Sequence, residues 1–270
     1  FTNKAFLLDA IDGTSNRELE LSSAVRCLAF SSNGAMLAAG DNSEHVSILD
    51  VIRGGIILRL PTNGIPATLC FSPDDASLAC GDSKMMLSKI DIRRKLTVWK
   101  QEFGGALSRV WYSLDGQDLY STDQSSTATL LDAASGAVIQ HQHSIGGLAR
   151  SIAVSRDCTK VAIGSYREKL VSLINHWEFE LKGWACALAF SPSGKLLACA
   201  DSSNQLNIMS VSRGQVVQQH ATPALAHALE FSPSGTELVF GDYARNVVCI
   251  DIASADILWR VELPDLSGQE

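Results

Sequence analysis

The sequence predicts an all-β protein, a β-propeller of four-stranded blades. Two observations carry this reading. A short motif with an aromatic or apolar anchor recurs at a period near 40 residues through most of the chain. Each copy is followed by three further short apolar runs, and four short strands per repeat is the make-up of a propeller blade. A third observation excludes an α/β fold: no stretch of helical length shows a clean 3.6-residue period. A two-sheet sandwich is the remaining all-β alternative.

The first strand and its turn read CLAFSSNG (27–34), LCFSPDD (69–75), VWYSLDG (110–116), IAVSRD (152–157), LAFSPSG (188–194) and LEFSPSG (229–235). The anchors are Phe30, Phe71, Tyr112, Val154, Phe190 and Phe231, spaced 41, 41, 42, 36 and 41. Proline sets φ early in such turns, and glycine accepts the positive φ that closes them. The second strands are MLAAGD, SLACGD, DLYSTD, KVAIGS, LLACAD and ELVFGD. Third strands follow at VSILD, MLSKID, TATLLD, LVSLI, LNIMS and VVCID, and fourth strands at IILRL, LTVWKQEF, AVIQHQ, WEFEL, QVVQQ and DILWRVEL. Many of these runs are apolar on both faces, which suits sheets covered on each side by a neighbour.

Two more strands precede the first full unit, AFLLDA (5–10) and RELEL (17–21), in the pattern of a third and fourth strand. Residues 1–21 are therefore expected to form the outer strands of an incomplete closing blade. Residues 22–263 would form six further blades, and 264–270 a polar tail. The expected architecture is seven-bladed with one blade incomplete. Its inner strands would come from further sequence or from a partner, because an open blade exposes strand edges that invite pairing.

The first-strand motif, the LAxG second strand and the aspartate ending the third strand together resemble the WD40 repeat family. The resemblance covers about residues 1–263, with ten residues from Gly40 to Asp50, Gly81 to Asp91 and Gly241 to Asp251. It implies blades with a buried His, Ser/Thr, Asp and Trp network, and the repeats are degenerate in that respect. The histidine slot holds Leu21, Thr62, Phe103, Ile145, Leu181 and Thr222. The aspartate slot holds Ser43, Lys84, Ser125, Ser203 and Ala244, and the tryptophan slot Leu49, Ile90, Leu131, Met209 and Ile250. Apolar packing between blades is expected to replace the network. A different aspartate recurs where the second strand ends: Asp41, Asp82, Asp123, Asp201 and Asp242, with Ser165 in the fourth unit. A carboxylate there can accept backbone N–H groups and pin the turn; the alternative is an acidic ring that attracts cations or basic peptides.

The chain has 270 residues and a formal net charge of -7, which does not favour nucleic acid as the main partner. No apolar run is long enough for a membrane span. Seven cysteines, an odd number with no CxxC pair, sit mostly in apolar runs. They read as free thiols in the cytoplasm or another reducing intracellular compartment. No metal or cofactor is expected: His141 and His143 share a strand face but lack a third ligand, and no nucleophile elbow, HExxH or phosphate loop occurs.

The expected function is non-catalytic: a protein–protein interaction scaffold within a larger assembly, binding other proteins or peptide segments. That expectation is a fold-level analogy. Three places break the repeat and could choose a partner. The 36-residue interval contains His176, Trp177 and Trp184 around a shortened turn, where a tryptophan beside a basic residue would serve as an anchor. Arg93, Arg94 and Lys95 form a basic turn. Arg26, Arg150 and His227 stand four residues before their anchors and could converge on an acidic peptide. Trp99 and Trp259 in fourth strands also resemble blades of quinone-dependent dehydrogenase propellers, which keeps an enzymatic alternative open.

Overall fold

The computed structural model describes residues 3–264, except 125–126, 144–148, 156, 158, 166–168 and 174–175. All regular structure among them is strand. β1 (Lys4–Leu8) and β2 (Ser15–Glu20) make a two-stranded sheet. Six four-stranded antiparallel sheets follow, each pairing its strands in sequence order. Blade one is β3 (Val25–Phe30), β4 (Met36–Asp41), β5 (His45–Asp50) and β6 (Ile56–Pro61). Blade two is β7 (Pro66–Phe71), β8 (Ser77–Asp82), β9 (Met86–Asp91) and β10 (Leu96–Glu102). Blade three is β11 (Leu107–Tyr112), β12 (Asp118–Asp123), β13 (Thr127–Asp132) and β14 (Val138–His143). Blade four is β15 (Ala149–Val154), β16 (Val161–Ser165), β17 (Leu170–Leu173) and β18 (Trp177–Glu180). Blade five is β19 (Ala185–Phe190), β20 (Leu196–Asp201), β21 (Gln205–Ser210) and β22 (Gln215–Ala221). Blade six is β23 (Ala226–Phe231), β24 (Glu237–Asp242), β25 (Asn246–Asp251) and β26 (Ile257–Glu262). The fold is all-β, of the β-propeller class.

The chain divides into two compact units. The first holds blades one to three with most of the two-stranded sheet; the second holds blades four to six with the turn at 8–15. In both, large residues of one blade meet small residues of the blade before it. Leu69 and Phe71 of blade two pack against Cys27, Ala29 and Ala38 of blade one. Leu229 and Phe231 of blade six pack against Ala187, Ala189 and Ala198 of blade five. Large-into-small contact lets sheets approach closely and keeps the interior dense.

Serine explains the motif better than its aromatic anchor does. It is identical in all six units, as Ser31, Ser72, Ser113, Ser155, Ser191 and Ser232. Each hydroxyl accepts the backbone N–H five residues on: Met36, Ser77, Asp118, Lys160, Leu196 and Glu237, at 2.8–3.1 Å. That bond closes the turn between the first and second strands of a blade, beside the backbone bond from the serine N–H to the carbonyl of the same residue.

A second repeated device joins several sheets to the next. Trp99 on β10 donates its indole N–H to Ala133 O at 3.3 Å, Trp177 on β18 to Val211 O at 2.7 Å, and Trp259 on β26 to Ala10 O at 2.9 Å. Each ring lies on a turn glycine with positive φ. A Cβ on Gly136 would stand 2.6 Å from Trp99, and one on Gly214 2.8 Å from Trp177. Only glycine satisfies both the φ and the close approach. Gln218 reaches Ile252 O from the same slot in blade five.

Candidate functional site

The second-to-third-strand turns form the best-defined polar feature. Asp41, Asp82, Asp123, Asp201 and Asp242 are all buried. Asp82 Oδ1 accepts the N–H groups of Lys84 (2.9 Å) and Met86 (3.0 Å), while Oδ2 accepts Gly64 N–H at 3.0 Å. Asp201 Oδ1 accepts Ser203 N–H at 2.8 Å and the Ser203 hydroxyl at 2.5 Å. Asp242 accepts Asn246 N–H at 2.9 Å and the Asn246 amide on both oxygens. Asp123 accepts Thr127 N–H at 3.1 Å. These carboxylates hold turns; buried as they are, they present no acidic ring to solvent.

They also organise polar networks, which corrects the expectation that apolar packing alone replaces the family's network. Arg260 Nε donates to Asn246 Oδ1 at 2.9 Å, extending Asp242–Asn246 to the fourth strand. Gln219 donates to Asn207 Oδ1 at 2.7 Å, and Asn207 approaches Asp201 Oδ2 at 3.5 Å. In blade one, the Ser22 hydroxyl donates to Asp41 Oδ2 at 3.3 Å and Arg59 stands 3.9 Å from it. The aspartate has moved two residues ahead of the slot the resemblance provides, so Ser43 and Ser203 become its donors. A slot-by-slot reading registers the loss and misses the exchange.

On the opposite turns, between first and second strands, Asp74, Asp115 and Asp157 accept the hydroxyls of Ser72, Ser113 and Ser155 at 2.6 Å. Those bonds favour the ionised carboxylate. They lower the pKa of Asp74 and Asp115 and bring that of Asp157 to about 2.

The sequence-nominated partner residues fall in several places. Trp177 does not face solvent: its ring clasps the turn at Val211–Gly214, in the role of Trp99 and Trp259. The tryptophan pattern therefore occurs in three blades, the shortened turn having disguised the third. Trp184 lies beyond the other end of β18, half-buried, its carbonyl accepting Ser202 N–H at 3.0 Å and its N–H donating to the Ser202 hydroxyl at 3.1 Å. Trp177 and Trp184 thus do not form one anchor. His176 is exposed in the turn before β18. Arg93, Arg94 and Lys95 are exposed on the β9–β10 turn, where Asp91 accepts Arg94 N–H at 2.8 Å and Lys95 has φ 57°. Arg26 is exposed on β3 in the first unit. Arg150 lies on β15, and its side chain is outside the described residues.

His227 is exposed on β23 and stacks on Tyr243, with ring centroids 4.6 Å apart and a 55° tilt. Tyr243 is 65% exposed. Its backbone is fixed from both sides: its N–H donates to Leu225 O at 3.1 Å, and Asp242 holds the turn from below. Sequence reasoning missed Tyr243. The available signal is that the residue after this turn position is Asn42, Ser83, Gln124 or Ser202 in four other units, and aromatic only here and at Tyr166 in the fourth.

Residues 13–50 match the family model described as WD domain, G-beta repeat. This segment is similar to a WD40 repeat; it begins at the turn before β2 and ends with β5, so the match takes β2 of the two-stranded sheet and the first three strands of blade one. A search of curated proteins found no match. No group of three or more His, Cys, Asp or Glu among the described residues could hold a metal ion. No helix is long and apolar enough to cross a membrane.

Proposed function

We propose that this chain is a non-catalytic scaffold that binds protein or peptide segments within a larger assembly. WD40 propellers commonly serve as interaction scaffolds, and the observation that carries the reading here is the exposed Tyr243–His227 pair. Its rings stand on a turn fixed by a buried aspartate, so little conformational freedom is lost when a partner covers them. Tyrosine supplies large contact area with few rotatable bonds and is enriched among residues that dominate binding energy. Arg93 and Arg94 offer a second, basic contact surface on the first unit. The tryptophans that resemble those of quinone-dependent dehydrogenases act as clasps between sheets, so their presence is accounted for by packing. Among the described residues six cysteines are free thiols, the buried Cys80, Cys199 and Cys249 among them, which supports the reading of a reducing compartment.

The test is affinity capture with crosslinking from cells that express the protein, comparing wild type with Tyr243→Ala and Arg94→Ala. At least one partner is expected to crosslink beside Tyr243 and to be lost from Tyr243→Ala while the fold is retained. Capture unchanged in both variants would remove these surfaces from the reading. Quinone-type absorption in the native protein would overturn the non-catalytic assignment.

A further inference from the structure

The link between blades one and two, residues 62–65, holds an Asn-Gly pair in a reactive setting. Such pairs are chemically labile: the glycine nitrogen, unhindered by a Cβ, can attack the side-chain amide carbon of the asparagine. The chain has two of them, Asn63–Gly64 and Asn33–Gly34. Gly64 N–H donates to Oδ2 of the buried Asp82 at 3.0 Å. Asn63 is exposed, and its Oδ1 accepts a hydrogen bond from Lys100 Nζ at 2.5 Å. An ammonium group has donors only, so the amide oxygen must be the atom that faces it. The backbone on either side is held, since Thr62 N–H donates to Glu44 O and the Thr62 hydroxyl to Gly64 O, both at 2.8 Å. A carboxylate thus sits on the attacking nitrogen and a cation on the oxygen of the carbon attacked. Asn33 is held differently. Its Oδ1 accepts Ala35 N–H at 2.8 Å and the Ser31 hydroxyl at 2.9 Å. Gly34 N–H donates to the Ser31 carbonyl at 2.9 Å, and a carbonyl is a far weaker base than a carboxylate.

We propose that Asn63 is a self-modification site, where Asp82 and Lys100 promote loss of its side-chain amide as ammonia. The proposal is independent of the scaffold reading. The Gly64 nitrogen forms a bond to Asn63 Cγ while Asp82 Oδ2 accepts its proton. Lys100 stabilises the negative charge that develops on Oδ1. The Cγ–Nδ2 bond then breaks, and the departing nitrogen takes up the proton that Gly64 gave and leaves as ammonia. The product is a five-membered cyclic imide. Solvent water opens it at either carbonyl, leaving aspartate or isoaspartate at position 63. Water is the only other reactant, and nothing is oxidised or reduced. Both products set a carboxylate beside Lys100. Isoaspartate also lengthens the main chain by a carbon, at a point where the backbone is tightly seated. A Cβ on Gly64 would stand 2.8 Å from Lys84 Cγ and 2.9 Å from Lys84 N. That product therefore displaces Gly64 from Asp82 and loosens the link between the two blades.

The test incubates the purified 270-residue protein at neutral pH and follows positions 33 and 63 by peptide mapping with mass spectrometry. Synthetic peptides of residues 30–37 and 60–67 give the rates of the same sequences without the fold. Asn63 is expected to convert about tenfold faster in the protein than in its peptide, a modest share of what a positioned acid or base contributes. Asn33 should convert more slowly in the protein than in its peptide. Lys100→Met should remove most of the acceleration at position 63, with ammonia release falling in step. Asp82→Asn, which keeps an acceptor and loses the base, should do the same. Lys100 is exposed, so Lys100→Met is expected to fold, and circular dichroism with an unchanged unfolding midpoint verifies this. That variant carries the test alone if Asp82→Asn does not fold. Conversion of Asn63 no faster in the protein than in its peptide overturns the inference. So does an acceleration that folded Lys100→Met leaves intact, because the arrangement described is then not its cause.

Discussion

Blades one and five carry nearly the same opening motif, CLAFSSNG and LAFSPSG, and place it in opposite environments. Phe190 is 9% exposed and Phe30 is 55% exposed. The strands have the same length, the turns close with the same serine bond, and the second strands end in the same buried aspartate. The difference lies wholly in the neighbour. Local chemistry builds the hairpin, and the sheet before it decides whether the anchor is core or surface. An anchor residue is thus a capacity for packing, which only a covered face turns into stability.

The largest expected effect separates these two anchors. Phe190→Ala should cost about 3–5 kcal/mol, the range for truncating a buried aromatic. Phe30→Ala should cost no more than about 0.5 kcal/mol, as exposed substitutions do. Urea unfolding of both variants checks this, and equal losses would break the comparison.

Next come the turn aspartates, where the two blades should agree. Asp41→Ala and Asp201→Ala each remove a buried carboxylate that accepts several part-buried turn donors, and each should cost about 1–3 kcal/mol. A loss confined to blade five would show that the turn, too, depends on its neighbour.

Acid should weaken the first-to-second-strand turn bonds that carboxylates accept in blades two, three and four, and not the equivalent bonds in blades one and five, whose acceptors do not ionise. The turn position that holds Asp74, Asp115 and Asp157 is Asn33 in blade one and Ser193 in blade five. Asp157 has its pKa lowered from 3.8 to about 2, chiefly by the Ser155 hydroxyl. A depressed carboxyl contributes stability above its unfolded pKa, and that contribution is lost as pH falls through the folded value. Between pH 4 and 2, protection of the Ala76, Gln117 and Thr159 amides should decline. Amides of Ala35 and Lys195, bound to Asn33 and Ser193, should hold. Native-state exchange measured across that range tests the contrast.

The smallest effect concerns the residues at φ 60° in Glu44 and 59° in Asn204. Glutamate tolerates that conformation poorly, and asparagine is enriched in it. Glu44→Gly should stabilise by about 0.5–1 kcal/mol, and Asn204→Gly by less, since glycine also raises the entropy of the unfolded chain. Thermal unfolding of the two variants ranks them.

Much of this was legible in the residues because it is local. A serine that accepts the N–H five positions on, or an aspartate that accepts those of the next turn, needs only its own hairpin. The tryptophan clasp was half legible: Trp99 and Trp259 stand out, while the shortened turn before Trp177 obscured its equivalence. The polar networks were not legible slot by slot, since the aspartate had moved by two residues and its partners come from other strands. Tyr243 carried a weak signal, an aromatic that only Tyr166 shares in an otherwise polar column, but its exposure and its contact with His227 depend on two strands meeting.

The sequence by itself determined the strand class, the turn chemistry and the repeat, because each depends on φ, on alternation and on hydrogen bonds a few residues long. Only the tertiary structure decided which anchors are core, which tryptophans are clasps and which aromatic pair faces solvent. Burial is a property of two surfaces in contact, and a motif specifies only one of them. Similar hairpins therefore become interior where a sheet covers them, and at Leu28 and Phe30 they stay exposed.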